Sequence, residues 1–143
     1  ASRSFEFDVI VYATGFDAMT GAIVAVDVQG RDGLPLARKW ADGPRTYLGL
    51  MVAGFPNFFM LNGPNGPIGN FSLIQIAELQ LGYVLQLMER LRRGDCHEIA
   101  ASSAATAAFD AARIAAAKSS IWATGCKSWY LDRNGVPASW PWT

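Results

Sequence analysis

Apolar residues run without a break through Val9-Ile10-Val11-Tyr12-Ala13 into the small-residue turn Thr14-Gly15. That continuous, β-rich pattern across residues 7–13 predicts a strand buried on both faces of a parallel sheet. A second β-rich stretch covers residues 22–28 and ends in the turn cluster Gln29-Gly30-Arg31-Asp32-Gly33. Residues 34–43 lack a period, with Trp40 as the expected anchor to the core. A candidate strand over 46–52 is closed by Gly54-Phe55-Pro56, and a short apolar strand is predicted over 57–61.

The pattern then breaks at Asn62-Gly63-Pro64-Asn65-Gly66-Pro67-Ile68-Gly69-Asn70, a composition that admits only a constrained loop. Directly after it Leu73, Ile76, Ala77, Leu79, Leu81, Val84, Leu85, Leu87, Met88 and Leu91 fall largely at helical spacing. Asn70 or Ser72 is placed to cap this helix, and Gly94 to end it behind Arg92 and Arg93. A second, alanine-dense helix is predicted over 100–117, capped by Ser102 or Ser103. Beyond Ser119 the chain mixes turn residues with Trp122, Trp129, Trp140 and Trp142, so the tail is expected to be irregular and aromatic.

Charge and cysteine content narrow the function. Twelve Lys and Arg balance twelve Asp and Glu, which removes the broad field that draws nucleic acid or an anionic membrane surface. Cys96 and Cys126 are far apart, and His97 is the one histidine. That set is too sparse for a disulfide framework or a metal site and suits reduced thiols in a cytoplasmic protein. The longest apolar-rich stretch, 71–91, contains Gln75, Glu78, Gln80, Gln86, Glu89 and Arg90, too polar to span a bilayer.

Two places can hold a ligand. The helix start after the glycine-rich loop offers unpaired N–H groups and a positive dipole end, suited to a phosphate or an electron-rich ring. The turn at Ala13-Thr14-Gly15 lies at a strand's carboxyl end, where open α/β sheets bind ligands. Either feature also serves as a plain connector, the commoner role on composition alone. The tail aromatics are expected first as core and second as a stacking surface. Cys126 and His97 lack an orienting acid, Asp8 and Asp17 flank the turn without an acid–base partner, and no catalytic residue is assigned.

The order of motifs resembles one family. Asp8-x-x-x-x-Ala13-Thr14-Gly15-Phe16-Asp17-Ala18, Asp27-Val28-x-Gly30-Arg31-x-Gly33-x-x-Leu36 and Trp40-x-Asp42-Gly43-Pro44-x-Thr46-Tyr47-Leu48-Gly49 are similar to consecutive segments of Baeyer–Villiger and flavin-containing monooxygenases. So are Gly54-Phe55-Pro56-Asn57-x-Phe59, Gly63-Pro64 with Asn70, and Trp122-x-x-Gly125-Cys126-x-Ser128-Trp129-Tyr130.

The resemblance implies an α/β fold: the C-terminal segment of a Rossmann-like FAD-binding domain over 1–118, with short strands and two helices, and an aromatic tail over 119–143. The glycine-loop motifs for FAD and NADP have no counterpart here, and neighbours for the 7–13 strand are expected in preceding sequence. The implied reaction uses FAD, NADPH and dioxygen to insert oxygen beside a ketone carbonyl. Thr14, Gly15, Phe16, Asn70, Phe71 and Ser72 would meet the flavin, Trp129 the nicotinamide cofactor, and Pro67 and Ile68 the substrate. The isolated chain is expected to bind neither cofactor, to be inactive and to self-associate. Rival implications are a non-catalytic interaction module on the same scaffold, or an N- or S-oxygenating flavin enzyme.

Overall fold

A computed structural model describes residues 3–15, 17–67, 71–125, 130–132, 135–138 and 140–142. Its long elements are α3 (Leu73–Arg92) and α4 (Ser103–Ala117), preceded by single-turn helices α1 (Gly21–Val24) and α2 (Leu36–Lys39). Both long helices start where serine predicts. The Ser72 hydroxyl accepts the Gln75 N–H and the Ser102 hydroxyl accepts the Ala105 N–H, each satisfying one orphan donor. Gly94 ends α3 in the left-handed region at φ 76°, as a helix-terminating glycine does.

The expected strands do not form ladders. Among the described residues pairing is limited to isolated bridges: Gln29 with Pro35, Tyr47 with Met51, Met51 with Phe59, and Leu131 with Pro137. Residues 7–13 form no regular element, bend at Asp8 and pair with none of the described residues, and a strand exists only where a neighbour completes its hydrogen bonds. Val9 and Val11 are 76% and 81% exposed. Over 22–28 the expectation of a strand gives way to α1, because Asp17 gathers the N–H groups of Met19 and Thr20 and starts a turn. Over 46–52, Leu48 at φ 58° and Gly49 at φ 71° reverse the chain, so Tyr47 and Met51 face each other across a tight turn. Over 57–61 only Phe59 makes a bridge.

The core consists of two apolar clusters fed by one extended stretch. Val52 and Phe55 join Leu36, Trp40 and Met60 in the first, which confirms Trp40 as an anchor. Leu50 and Met51 join Val84 of α3 in the second. Neighbours in an extended chain point opposite ways, so Met51 and Val52 serve different clusters. Each fully buried side chain of this size stabilises by roughly 1.5–3 kcal/mol. Asn57 stitches the α3–α4 connection to this stretch: its N–H donates to the Ile99 carbonyl, its Oδ1 accepts the Ile99 N–H, and its Nδ2 donates to the His97 carbonyl.

Elsewhere apolar surface stays open. Ile74, Leu81, Leu85 and Met88 lie at helical spacing along α3 and are exposed. No helix among the described residues is long and apolar enough to cross a membrane.

Glycines fix the tightest contact. A Cβ at Gly49 would lie 2.7 Å from Gly66 Cα, and one at Gly63 would lie 2.4 Å from the Gly49 oxygen. Gly49→Ala is expected to lower the unfolding free energy by about 2–4 kcal/mol, combining backbone strain with overpacking. Gly94→Ala, where the glycine shares a positive φ but has open space around it, should cost only about 1 kcal/mol. Denaturant midpoints at unchanged slope check the difference.

Candidate functional site

The loop that leads into α3 is built on buried polar groups. Thr46 is 0% exposed and Asn65 1%. The Thr46 N–H donates to Asn65 Oδ1 at 3.0 Å, and its hydroxyl donates to the Pro64 carbonyl at 2.6 Å while accepting the Gly49 N–H at 3.1 Å. The Gly63 N–H donates to the Gly49 carbonyl at 3.1 Å. From α3 the buried Gln80 reaches back: its Oε1 accepts the Asn62 N–H at 2.7 Å and its Nε2 donates to the Leu48 carbonyl at 3.4 Å. Asn62 Nδ2 donates to the Leu73 carbonyl at 3.1 Å, tying the loop to the helix's first residue. Asn62 Oδ1 is buried with no partner among the described residues.

What this frame presents is the start of α3. Ser72 takes the Gln75 N–H on its side chain and the Ile76 N–H on its carbonyl. The N–H groups of Leu73 and Ile74 have no intrahelical acceptor by geometry, and Phe71, Ser72, Leu73 and Ile74 are all exposed. An open helix start of this length favours negative charge. Thr14 and Gly15 are also exposed, and Gly15, at φ 76°, has nothing within 4 Å of the place a Cβ would occupy. A flat ligand can therefore approach the backbone there. Phe16, Ile68, Asn70 and Trp129 lie outside the described residues. Pro67 lines an open apolar groove of about 270 Å³ with Leu48, Leu50, Ile76, Leu79 and Tyr83.

After Gly15 the chain folds onto its Asp17 side chain. The Thr20 hydroxyl on the carboxylate is the largest influence holding Asp17 below its ordinary pKa; partial burial opposes it, and the N–H groups of Thr20, Met19 and Gly21 assist. This turn, the Trp40 ring and the tail around Leu131 and Ala138 enclose a cavity of about 230 Å³.

The described tail aromatics are half-buried and pack on other rings, outside both apolar clusters. Trp140 and Trp142 lie 5.8 and 5.9 Å from the Phe109 ring of α4, and Trp122 lies 4.3 Å from Tyr130. Beneath them Arg113, 4% exposed, donates to Asp110 Oδ1 at 2.6 Å and to the Pro137 carbonyl. Asn65 Nδ2 donates to the next carbonyl, Ala138, at 3.0 Å. Sequence reasoning overlooked Thr46, Asn65, Gln80, Asp110 and Arg113. The Asp-x-x-Arg spacing on an alanine-rich helix was the available sign, since little else on that helix carries charge.

No family model matches the chain. It is 43% identical over 136 residues to an uncharacterized monooxygenase of Mycobacterium tuberculosis, covering 95% of this chain and 27% of that protein. It is 36% identical over 130 residues to a Baeyer-Villiger monooxygenase of Pseudomonas aeruginosa, covering 90% and 24%. The solved complex of OTEMO with FAD and NADP superposes with a TM-score of 0.79 at 32% identity, over 95% of this chain and 25% of that one. The chain thus spans about a quarter of the length of these curated relatives.

Two outcomes follow from the local chemistry. Ser72→Ala should cost about 1 kcal/mol and fray the first turn of α3, visible as faster amide exchange at Gln75. Because the folded Asp17 carboxyl titrates below its ordinary value, its contribution to the 17–24 turn is complete above about pH 4 and fades as pH falls through the lowered value. Thr20 amide exchange should rise in that acid window, and Asp17→Asn should flatten the dependence.

Proposed function

We propose that this chain, which belongs along 95% of its length to the family of Baeyer–Villiger-type, FAD-binding monooxygenases, forms the C-terminal part of an FAD- and NADPH-dependent enzyme that inserts oxygen beside a ketone carbonyl. Residues 1–118 complete the flavin domain and 119–143 form its tail. One observation carries the reading: an exposed α3 start and an open Gly15 turn, the former held by a chain of side-chain hydrogen bonds rooted in the buried Thr46–Asn65 pair.

These residues fit a flavin. Gly15 leaves backbone open to a planar ring, and the N–H groups of Leu73 and Ile74 suit a ring edge that gains negative charge on reduction. Thr14, Gly15, Phe71 and Ser72 would hold it, together with Phe16 and Asn70; Trp129 would cover the nicotinamide cofactor. When bound, the flavin accepts electrons from NADPH and delivers one oxygen atom of dioxygen. The chain's own part is to orient and to exclude water. Ser72 and Asn62 fix the helix start, and the apolar groove beside Pro67 favours an apolar ketone over water, a role that Ile68 would share.

The open faces support the same reading. Apolar side chains along α3 and over 7–12 are what a protein covers with further structure. In a chain of these 143 residues alone they would pair with copies of themselves. Purified alone, the chain should be colourless and elute as an oligomer. Joined to the glycine-loop regions that its relatives carry, it should show a flavin absorbance band and consume NADPH with ketones in preference to amines or sulfides. A yellow isolated chain, or turnover of amines alone by the longer protein, would count against the proposal.

A further inference from the structure

The described tail is a closed turn of its own. The Asp132 N–H donates to the Val136 carbonyl at 2.8 Å, the Val136 N–H to Asp132 Oδ1 at 2.9 Å, and the Ala138 N–H to the Tyr130 carbonyl at 2.7 Å. A turn closed in this way moves as a unit, so whatever holds its far end sets its position. Two side-chain donors reach it from different parts of the fold, among the described residues. Arg113 of α4 donates to the Pro137 carbonyl, and Asn65 of the glycine-rich loop donates to the Ala138 carbonyl at 3.0 Å.

Neither side chain is free to follow the tail. Asn65 sits at φ 65° with its Oδ1 engaged by the Thr46 N–H, so its amide plane is fixed by the loop's buried frame. Arg113 has its Nε and Nη2 on Asp110 Oδ1, and the other oxygen of Asp110 lies 3.6 Å from Arg45 Nε. A buried guanidinium anchored on one carboxylate presents its remaining donor in a set direction.

We propose that Asn65 and Arg113 are positioning residues that latch the described tail residues 130–132 and 135–138 to the loop entering α3, so that the position of the tail and the geometry of that loop are coupled. The coupling passes through one amide: a loop displacement that moves Asn65 Oδ1 also withdraws Nδ2 from Ala138. This deepens the proposed function and rests on it for its consequence, though the latch itself requires no cofactor.

The test uses the full-length protein with Asn65→Asp, which keeps an acceptor for the Thr46 N–H but loses the donor to Ala138, and with Arg113→Lys, which keeps the charge but loses the fork. In both, amide exchange at Asp132, Val136 and Ala138 should quicken by roughly tenfold, the effect of losing one such bond, while α3 keeps its protection. The KM for NADPH should rise severalfold at nearly unchanged kcat and flavin spectrum. Tail amides as protected as in the parent, or tail and α3 loosening together, would overturn the latch, and an unchanged KM beside a loosened tail would overturn its coupling to the site. If a carboxylate at position 65 prevents folding, Arg113→Lys decides alone. A loosened tail in a parent without a flavin band leaves the latch standing and removes the monooxygenase reading; a flavin-loaded, active parent with an unmoved tail does the reverse.

Discussion

Two backbone turns touch where Gly49 meets Gly63 and Gly66, and Thr46 with Asn65 locks that contact from the side. No side chain fits between them, so the approach exists only because three glycines permit it. The rest of the chain is hung from this point. Leu50 and Met51 leave it directly for one apolar cluster, and Val52 for the other. Gln80 ties α3 to it, and the free end of Asn65 reaches the tail. Burying so many polar atoms carries a desolvation cost, and the cost is offset only because the donors and acceptors of Thr46, Asn65 and Gln80 find partners at hydrogen-bonding distance.

The distribution of polarity is therefore unusual in a consistent way. Groups that water could solvate are inside: Thr46, Asn65, Gln80, Asp110 and Arg113. Groups that water rejects are outside, in the 7–12 stretch and along one side of α3. Apolar burial supplies two modest clusters, while order at the loop comes from directional bonds, which fix geometry more narrowly than dispersion contacts. A chain arranged so is specific about the position of one loop and one helix start, and indifferent to covering its flanks. That division suits a component whose open faces meet further protein and whose ordered part faces a ligand.

Helices were legible in the sequence because their determinants are local. The period of Leu73 to Leu91, the caps Ser72 and Ser102 and the stop at Gly94 each act within a few residues. Strands were not, because a ladder depends on a neighbour that composition does not reveal. Residues 7–13 and 46–52 have the same β-rich character, yet one is irregular with no ladder partner among the described residues and the other doubles back on itself at Leu48-Gly49. The glycine-rich loop could be recognised as constrained, but its cause could not, since Thr46 lies 19 residues from Asn65 and Gln80 lies 18 from Asn62. For the site, the α3 start followed from its cap and the preceding glycines. The Arg113 contact to Pro137 spans 24 residues and joins a helix to an irregular tail, a pairing with no period to announce it.

A rigid loop before an open helix start has a physical purpose that a flexible one would not serve. Unpaired N–H groups stabilise developing negative charge only in proportion to how little they must reorient when it appears. Here the reorganisation is suppressed in advance: Asn62 holds the Leu73 carbonyl, Gln80 holds Asn62, and Asn65 holds the turn from which both extend. These bonds are linked in series, so moving the helix start breaks several at once instead of one. The same connectivity reaches the tail, whose Ala138 carbonyl is fastened to Asn65. Attached there, the described tail shares the reference point that fixes the loop, and the two keep their mutual geometry when the open faces on either side move.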